Sequence, residues 1–167
     1  MICLYAQPYD LSAAGFYFKD LEEYDSKAKA LRNNYGQPVE EFEIQFIDGE
    51  EIDGALAKAI GINQANLGAF FDCVETWNDA EKRSIIIAVG ECGYQFDPDR
   101  HPDDYGVDIY PANSMDELAE QFVEDGLFGD IPERLRFYID MEAIARDLSF
   151  DFSETVIAGE GLVYACR

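Results

Sequence analysis

The sequence has few basic residues and no long hydrophobic run. Only 12 of its 167 residues are Lys or Arg, against 35 that are Asp or Glu, so the formal net charge is −23. No segment approaches the ~20 apolar residues that cross a bilayer. The N-terminal stretch MICLYAQPYD lacks the basic start and long apolar core of a signal peptide. These absences predict a soluble, cytoplasmic protein with no membrane contact.

Sequence signals of catalysis and of nucleotide binding are also missing. The only histidine is His101, the four cysteines form no CxxC pair, and no GxxxxGK[ST], GxGxxG or GxSxG motif occurs. Basic patches interleaved with aromatic residues, which bind nucleic acids directly, are absent as well. We therefore predict that the protein is not an enzyme and has no cofactor, no metal ion, no catalytic residue and no direct nucleic-acid binding.

Two interpretations based on carboxylates remain open at this point. In the stretch DPDRHPDD, Asp97, Asp99 and Asp103 match the alternation of calcium ligands only imperfectly, and Pro102 stands where a calcium loop needs glycine. The alternative function is an acidic hydrolase or cation-binding domain that uses a carboxylate pair. Because 35 acidic residues always supply some pair at a suitable separation, their number does not favour this alternative.

The negative charge extends along the whole chain. The net charge is −7 in residues 1–60, −7 in residues 61–110 and −9 in residues 111–167. The acidic residues therefore belong to the surface as a whole and not to a tail. Such a surface repels itself, which favours one of two explanations: adaptation to high salt, or a partner that is itself strongly basic.

The 48% of hydrophobic residues predict a folded chain. The order of its predicted strands and helices indicates fold class α+β, with three small modules in series. An N-terminal α+β module, 1–60, has a three-stranded antiparallel sheet and a helix. A mainly helical middle module spans 61–106. A C-terminal α+β module spans 107–167 and ends in a hairpin around Gly159 and Gly161. Residues 2–6, 16–19, 41–48 and 107–110 alternate or carry strand-forming residues and are predicted strands.

Helix starts and stops follow from capping residues. Asp20 caps a helix that ends at Gly36 and Pro38, and Asn63 caps a second helix. Asn78 with Glu81, and Ser114 with Glu117, form capping-box patterns. The first of these boxes favours a helix through the run Ile85 to Val89, whose β-branched residues alone would favour a strand.

The stretch LRFYIDMEAIARDL, residues 135–148, mixes charges with apolar residues. As one helix beginning near Pro132, it pairs Arg136 with Asp140 and Glu142 with Arg146 at four-residue spacing. An ordinary amphipathic helix with self-paired charges explains most of the pattern. The apolar face is wider than such a helix needs, because Phe137 and Ile144 lie off the main stripe, and burial by a partner accounts for that width.

The longer stretch GDIPERLRFYIDMEAIARDL resembles the C-terminal motif of the ArdA-type antirestriction proteins, with its LRxYID, EA and ARDL elements. The resemblance is strongest over residues 114–167. It implies an elongated homodimer that mimics duplex DNA and occupies the DNA-binding channel of type I restriction-modification enzymes, in their methyltransferase core. In the N-terminal module the chain departs from the family, because Gln45-Phe46-Ile47-Asp48 stands where an HDYE-like run is usual.

Two sets of residues follow from this resemblance and from the charge. The antirestriction motif and dimer contact comprise Leu135, Arg136, Tyr138, Ile139, Asp140, Glu142, Ile144, Arg146, Asp147 and Leu148. The surface that mimics phosphates comprises Glu22, Glu23, Asp25, Glu40, Glu41, Glu50, Glu51, Asp97, Asp99, Asp103, Asp104, Glu117, Glu120, Glu124 and Asp125.

Overall fold

The computed structural model describes residues 1–167 and has the predicted α+β class. The chain divides into two compact units, Met1–Asp104 and Tyr105–Arg167. The first unit covers the predicted N-terminal module and all but the last two residues of the predicted middle module. The second unit begins two residues before the predicted C-terminal module. The division of the first unit into two modules stays a prediction. No helix has the length and apolar character needed to cross a membrane.

The first unit is built on a three-stranded antiparallel sheet with four helices. The strands are β1 (Cys3–Pro8), β2 (Phe16–Phe18) and β3 (Phe42–Asp48), in the order β2-β1-β3. The helices are α1 (Leu21–Ala30), α2 (Glu51–Ile60), α3 (Leu67–Thr76) and α4 (Asp79–Ile85), and a π-helical turn, Ile86–Glu91, continues α4. A short 3₁₀ turn follows at Pro102–Tyr105.

The core of this unit joins one face of the sheet to the helices. In β1 every second residue is buried, so Leu4 and Ala6 face inward, as the period of two requires. Phe70 of α3 and Ile87 of the π-helical turn are fully buried. The run from Ile85 to Val89 is helical, as the capping box predicted. In that box, Asn78 accepts the Glu81 N–H at 3.1 Å, and the Glu81 carboxylate accepts the Asn78 N–H at 2.8 Å.

The second unit has a sheet of three antiparallel strands and three helices. The strands are β4 (Val107–Pro111), β5 (Ser153–Ile157) and β6 (Glu160–Cys166), in the order β4-β6-β5. The helices are α5 (Met115–Glu124), α6 (Glu133–Arg136) and α7 (Met141–Leu148). Leu118 and Phe122 of α5 pack with Val163 of β6 in the core, and Leu148 of α7 lies against that cluster.

Two helix boundaries of the first unit differ from the prediction. α1 is capped by Asp20 as expected but ends at Ala30, because Leu31 is extended and Arg32 forms a β-bridge with Pro38. α3 begins at Leu67 and not directly after Asn63, since the Asn63 side chain accepts the N–H groups of Ala65 and Asn66 in a turn of its own.

One helix was missed and one predicted cap is shifted. α2 was not predicted; its N-cap residue, Glu50, makes no side-chain capping bond that would mark the start. At α5, Ser114 accepts the Glu117 N–H at 3.2 Å, as predicted. The Glu117 carboxylate, however, accepts from Asn113 N–H at 2.7 Å and not from Ser114, so the reciprocal half of the capping box was wrong.

Candidate functional site

The predicted acidic surface is exposed almost throughout. Thirteen of its fifteen carboxylate residues are exposed, and only Glu23 and Glu117 are half-buried. Seven of the remaining carboxylates lie on or beside α1, α2 and α5: Glu22, Asp25, Glu50, Glu51, Glu120, Glu124 and Asp125. The others lie in segments before β3 or around the turn at Pro102–Tyr105: Glu40, Glu41, Asp97, Asp99, Asp103 and Asp104. These thirteen residues thus lie on the molecular surface.

Glu23 and Glu117 have structural contacts that fix their carboxylates. Glu23 binds Lys27 at 2.7 Å and accepts the Lys19 backbone N–H, and the hydrogen bond from Lys27 holds the pKa of Glu23 below its ordinary value. Glu117 accepts two hydrogen bonds from Asn113, of which the backbone bond is the main cause of its lowered pKa. Both carboxylates remain charged at neutral pH and also stabilise helix starts.

Both units carry a large negative charge. Residues 1–104 hold 21 acidic and 8 basic residues, a net charge of −13, and residues 105–167 hold 14 and 4, a net charge of −10. Asp53 is the one buried acidic residue, and it pairs with buried Lys82 at 2.6 Å. The excess of negative charge therefore lies on the surface. No group of three or more His, Cys, Asp or Glu side chains is arranged to hold a metal ion.

The antirestriction motif is not one continuous helix. Leu135 and Arg136 end α6, Tyr138 and Ile139 lie in the break, and Asp140 is the N-cap of α7. The remaining motif residues lie on α7: Glu142, Ile144, Arg146, Asp147 and Leu148. The single helix predicted over 135–148 was therefore wrong, because Asp140 starts a new helix by accepting the Ala143 N–H at 3.0 Å.

The two predicted ion pairs of the motif are also absent. Asp140 uses its carboxylate as a cap, so it does not pair with Arg136. Glu142 and Arg146 share α7 at four-residue spacing, but their side chains form no ion pair in the structure. Arg136 and Arg146 are both exposed. These guanidinium groups remain available for a contact outside the unit.

Several large apolar side chains in and next to this motif are exposed. Phe137 is 94% exposed and Tyr138 84% exposed, and Phe150 just after α7 is 83% exposed. Ile139 and Ile144 are half-buried, so they contribute partly to the unit's own packing. The sequence pattern placed Phe137 off the main apolar stripe of the predicted helix. In the structure its side chain is almost completely exposed to solvent.

A second part of this apolar surface was not predicted. Leu127 and Phe128, which follow α5, are 63% and 53% exposed, and they add to the predicted motif residue Leu135, which is 47% exposed. We call the set Leu127, Phe128, Leu135, Phe137, Tyr138 and Phe150 the C-terminal apolar surface. In the sequence, Leu127 and Phe128 stand between Gly126 and Gly129, a position typical of an exposed loop, and that signal could have found them.

Comparison with known proteins agrees with the resemblance of the motif and extends it. The family model described as "Antirestriction protein (ArdA)" matches residues 4–163, which is nearly the whole chain. The match thus includes the first unit, where the motif is absent and the likeness was weaker. A search of curated proteins finds no match. The family match, together with an exposed acidic surface on both units, shows that the chain belongs to the ArdA family of antirestriction proteins.

Proposed function

We propose that this antirestriction protein inhibits type I restriction-modification enzymes by mimicking duplex DNA in the DNA-binding channel of their methyltransferase core. The observation that carries the proposal is the exposure of thirteen of the fifteen predicted carboxylates, together with net charges of −13 and −10 on the two units. A channel that binds DNA is lined with basic groups that neutralise phosphates. Exposed carboxylates present these basic groups with negative charge, as phosphates do.

The amount of charge suits this role. Duplex DNA carries one negative charge per ~1.7 Å of its axis, so 23 charges correspond to the charge of ~39 Å of duplex. A homodimer would carry twice this charge. The active surface in this proposal is distributed over many carboxylates, and no catalytic residue takes part. We expect the protein to act in the cytoplasm, where it would meet its target enzyme.

We also propose that two copies meet through the C-terminal apolar surface. Phe137, Tyr138 and Phe150 are large and almost fully exposed, and aromatic residues are typical of the centre of protein interfaces. The exposed guanidinium groups of Arg136 and Arg146 lie on the same segment. They would lower the repulsion between two acidic protomers at their contact.

A competition experiment tests the main proposal. A fluorescently labelled duplex is bound to a purified type I methyltransferase core, and the antirestriction protein is added while anisotropy is recorded. Mimicry predicts that the duplex is displaced and that excess unlabelled duplex prevents the protein from binding. If a complex of core, duplex and antirestriction protein forms instead, the protein does not occupy the DNA channel.

A further inference from the structure

The strand β3 (Phe42–Asp48) lies at an open edge of the first unit's sheet. It pairs with β1 on one side, and no strand pairs with it on the other. The opposite edge of the sheet is formed by β2, which has only three residues. An edge strand presents unpaired N–H and C=O groups that can pair with an added strand. The edge of β3 is the longer of the two.

The register shows which groups of β3 point outward. The Glu41 C=O points towards β1, where it accepts the Tyr9 N–H at 3.1 Å, whereas the Phe42 N–H points away from β1 and donates to the Gln64 side chain at 2.8 Å. Because the direction of N–H and C=O alternates along a strand, Ile44 and Phe46 point to the same open side as Phe42. Gln64 binds the main chain at Glu40 and Phe42 and at no later position of β3. The main-chain groups of Ile44 and Phe46 have no partner on that side.

A shallow apolar groove runs along this open edge. It has a volume of about 400 Å³ and lies between β3 and the last turns of α2. Its walls include Ile44, Phe46, Ala57 and Ile62. Gly61 presents no side chain there and takes the left-handed conformation, φ +61°, as the C-cap of α2. Alternate side chains of a strand added beside β3 would enter this groove.

The other face of the edge is mixed and carries one carboxylate. Glu43 is exposed there, followed by half-buried Gln45 and exposed Ile47. Lys58 lines the groove on the opposite face. An added strand therefore meets apolar groups and Lys58 on one face and the Glu43 carboxylate on the other. A second copy of this chain would bring another net charge of −23 to this edge, which disfavours pairing between copies and favours a basic occupant.

We propose that the open edge of β3 binds an extended segment of a basic protein, in which apolar residues alternate with lysine or arginine. The apolar residues would face Ile44, Ala57 and Ile62, the basic residues would face Glu43, and the main chain would pair with Ile44 and Phe46. We take this basic protein to be the type I restriction-modification enzyme, and that identification rests on the proposed function. The strand-binding site itself rests only on the edge and the groove.

The experiment uses the full chain and a peptide of about seven residues with alternating lysine and valine, acetylated and amidated. Two N-methylated forms serve as a matched pair with equal charge and mass. One is methylated at two adjacent central residues, which blocks both of its edges in the middle. The other is methylated at its first and last residues, which leaves the middle free. Binding is measured by titration calorimetry, and amide exchange of Ile44 and Phe46 by NMR.

Strand pairing predicts that central methylation weakens binding about tenfold or more, whereas terminal methylation has little effect. The unmodified peptide should slow the exchange of the Ile44 and Phe46 amides. Glu43→Lys should weaken binding more than Glu133→Lys, which makes the same change in net charge on the other unit. Equal affinities of the two methylated peptides would mean that only charge attracts them and would overturn the inference.

Two further outcomes separate this inference from the alternatives. If the amides of Ile44 and Phe46 are protected without peptide, and more so at higher protein concentration, a second copy occupies the edge and the inference is wrong. If the peptide does not bind but the protein displaces duplex DNA from the methyltransferase core, the inference fails and the proposed function stands. If the peptide binds but the protein does not displace duplex DNA from the methyltransferase core, the strand-binding site stands, and the restriction enzyme is no longer supported as its partner.

Discussion

At the scale of single residues, Asp53 and Lys82 form a buried ion pair in the first unit. Both side chains are about 95% buried, with the Lys82 Nζ 2.6 Å from Asp53 Oδ1. Removal of one partner would leave an uncompensated buried charge, which costs about 3–5 kcal/mol. Lys82→Met and Asp53→Leu should each lower the free energy of unfolding by this amount in urea denaturation.

The double variant provides the control for this prediction. Replacing both partners by apolar side chains removes both charges, so the loss should be well below the sum of the two single losses. If the two losses simply add, the pair is not coupled and its burial has another explanation. The sequence did not predict this pair, because the partners lie 29 residues apart and only the fold brings them together.

The exposed carboxylates were easier to predict than this pair. A charged side chain is almost never buried unless it has a partner, so each acidic residue was expected outside, and thirteen of the fifteen chosen are exposed. Glu23 and Glu117 differ because each accepts hydrogen bonds beside a helix start. The first turn of a predicted helix was the signal for such a role, and it was present at both positions.

At the scale of elements, the start of α7 depends on Asp140. Its carboxylate accepts the Ala143 N–H at 3.0 Å, and loss of such a cap costs about 1 kcal/mol. Asp140→Ala should lower the free energy of unfolding by this amount, whereas Asp140→Asn should retain most of it. Arg136→Ala should have almost no effect, since Arg136 makes no ion pair with Asp140. If Asp140→Ala and Arg136→Ala lower the free energy of unfolding equally, the continuous helix with its ion pair is the correct description.

The elements that were predicted correctly have local signals, and those that were missed do not. Asp20 and Asn78 mark the starts of α1 and α4 by capping. The strands β1 and β3 are marked by the alternation of their own residues. α2 lacks a side-chain cap and contains Gly54, so its sequence alone favours no helix start. The break in the motif was missed because Asp140 is compatible both with a helical ion pair and with a cap, and only packing decides between them.

The start of α5 should depend on pH through Glu117. Hydrogen bonds from Asn113 hold the pKa of Glu117 below its ordinary value of 4.5. A carboxylate with a lowered pKa in the folded state stabilises that state above its unfolded pKa, and this contribution is lost as the pH falls through the folded pKa. Glu117→Gln should therefore lower the melting temperature at pH 7 and lose this effect in acid.

Thermal unfolding of the wild type and Glu117→Gln across this pH range measures the effect. Glu120→Gln is the control, because Glu120 is exposed on the same helix. An NMR titration of the Asn113 amide should give a midpoint below 4.5. A Glu117→Gln difference that stays constant down to strongly acid pH would show that the hydrogen bonds do not depend on the charge.

At the scale of the whole molecule, we propose that two copies meet through the C-terminal apolar surface. Phe137→Asp and Tyr138→Asp should yield monomers in sedimentation velocity, because both side chains are exposed and each change places a new charge in the proposed contact. Neither change disturbs the unit's core. Ile139→Asp or Ile144→Asp should have the same effect, although these half-buried residues also contribute to packing within the unit.

Val156→Asp is the matched control for the dimer. Val156 lies on β5 in the same unit, is 71% exposed and is not part of the motif. This variant should sediment as the wild type does. A dimer that persists in both Phe137→Asp and Tyr138→Asp, or one that is lost in Val156→Asp, would place the contact elsewhere on the unit.

The measurement that tests mimicry most directly is the salt dependence of binding to a type I methyltransferase core. Proteins that bind DNA lose about 10³–10⁵ in affinity between ~50 and ~200 mM salt when 6–10 phosphates are contacted, because counterions are released. A mimic that binds through the same basic groups should show a steep decrease of the same kind, parallel to that of duplex DNA. An affinity that is unchanged between these salt concentrations would contradict electrostatic mimicry.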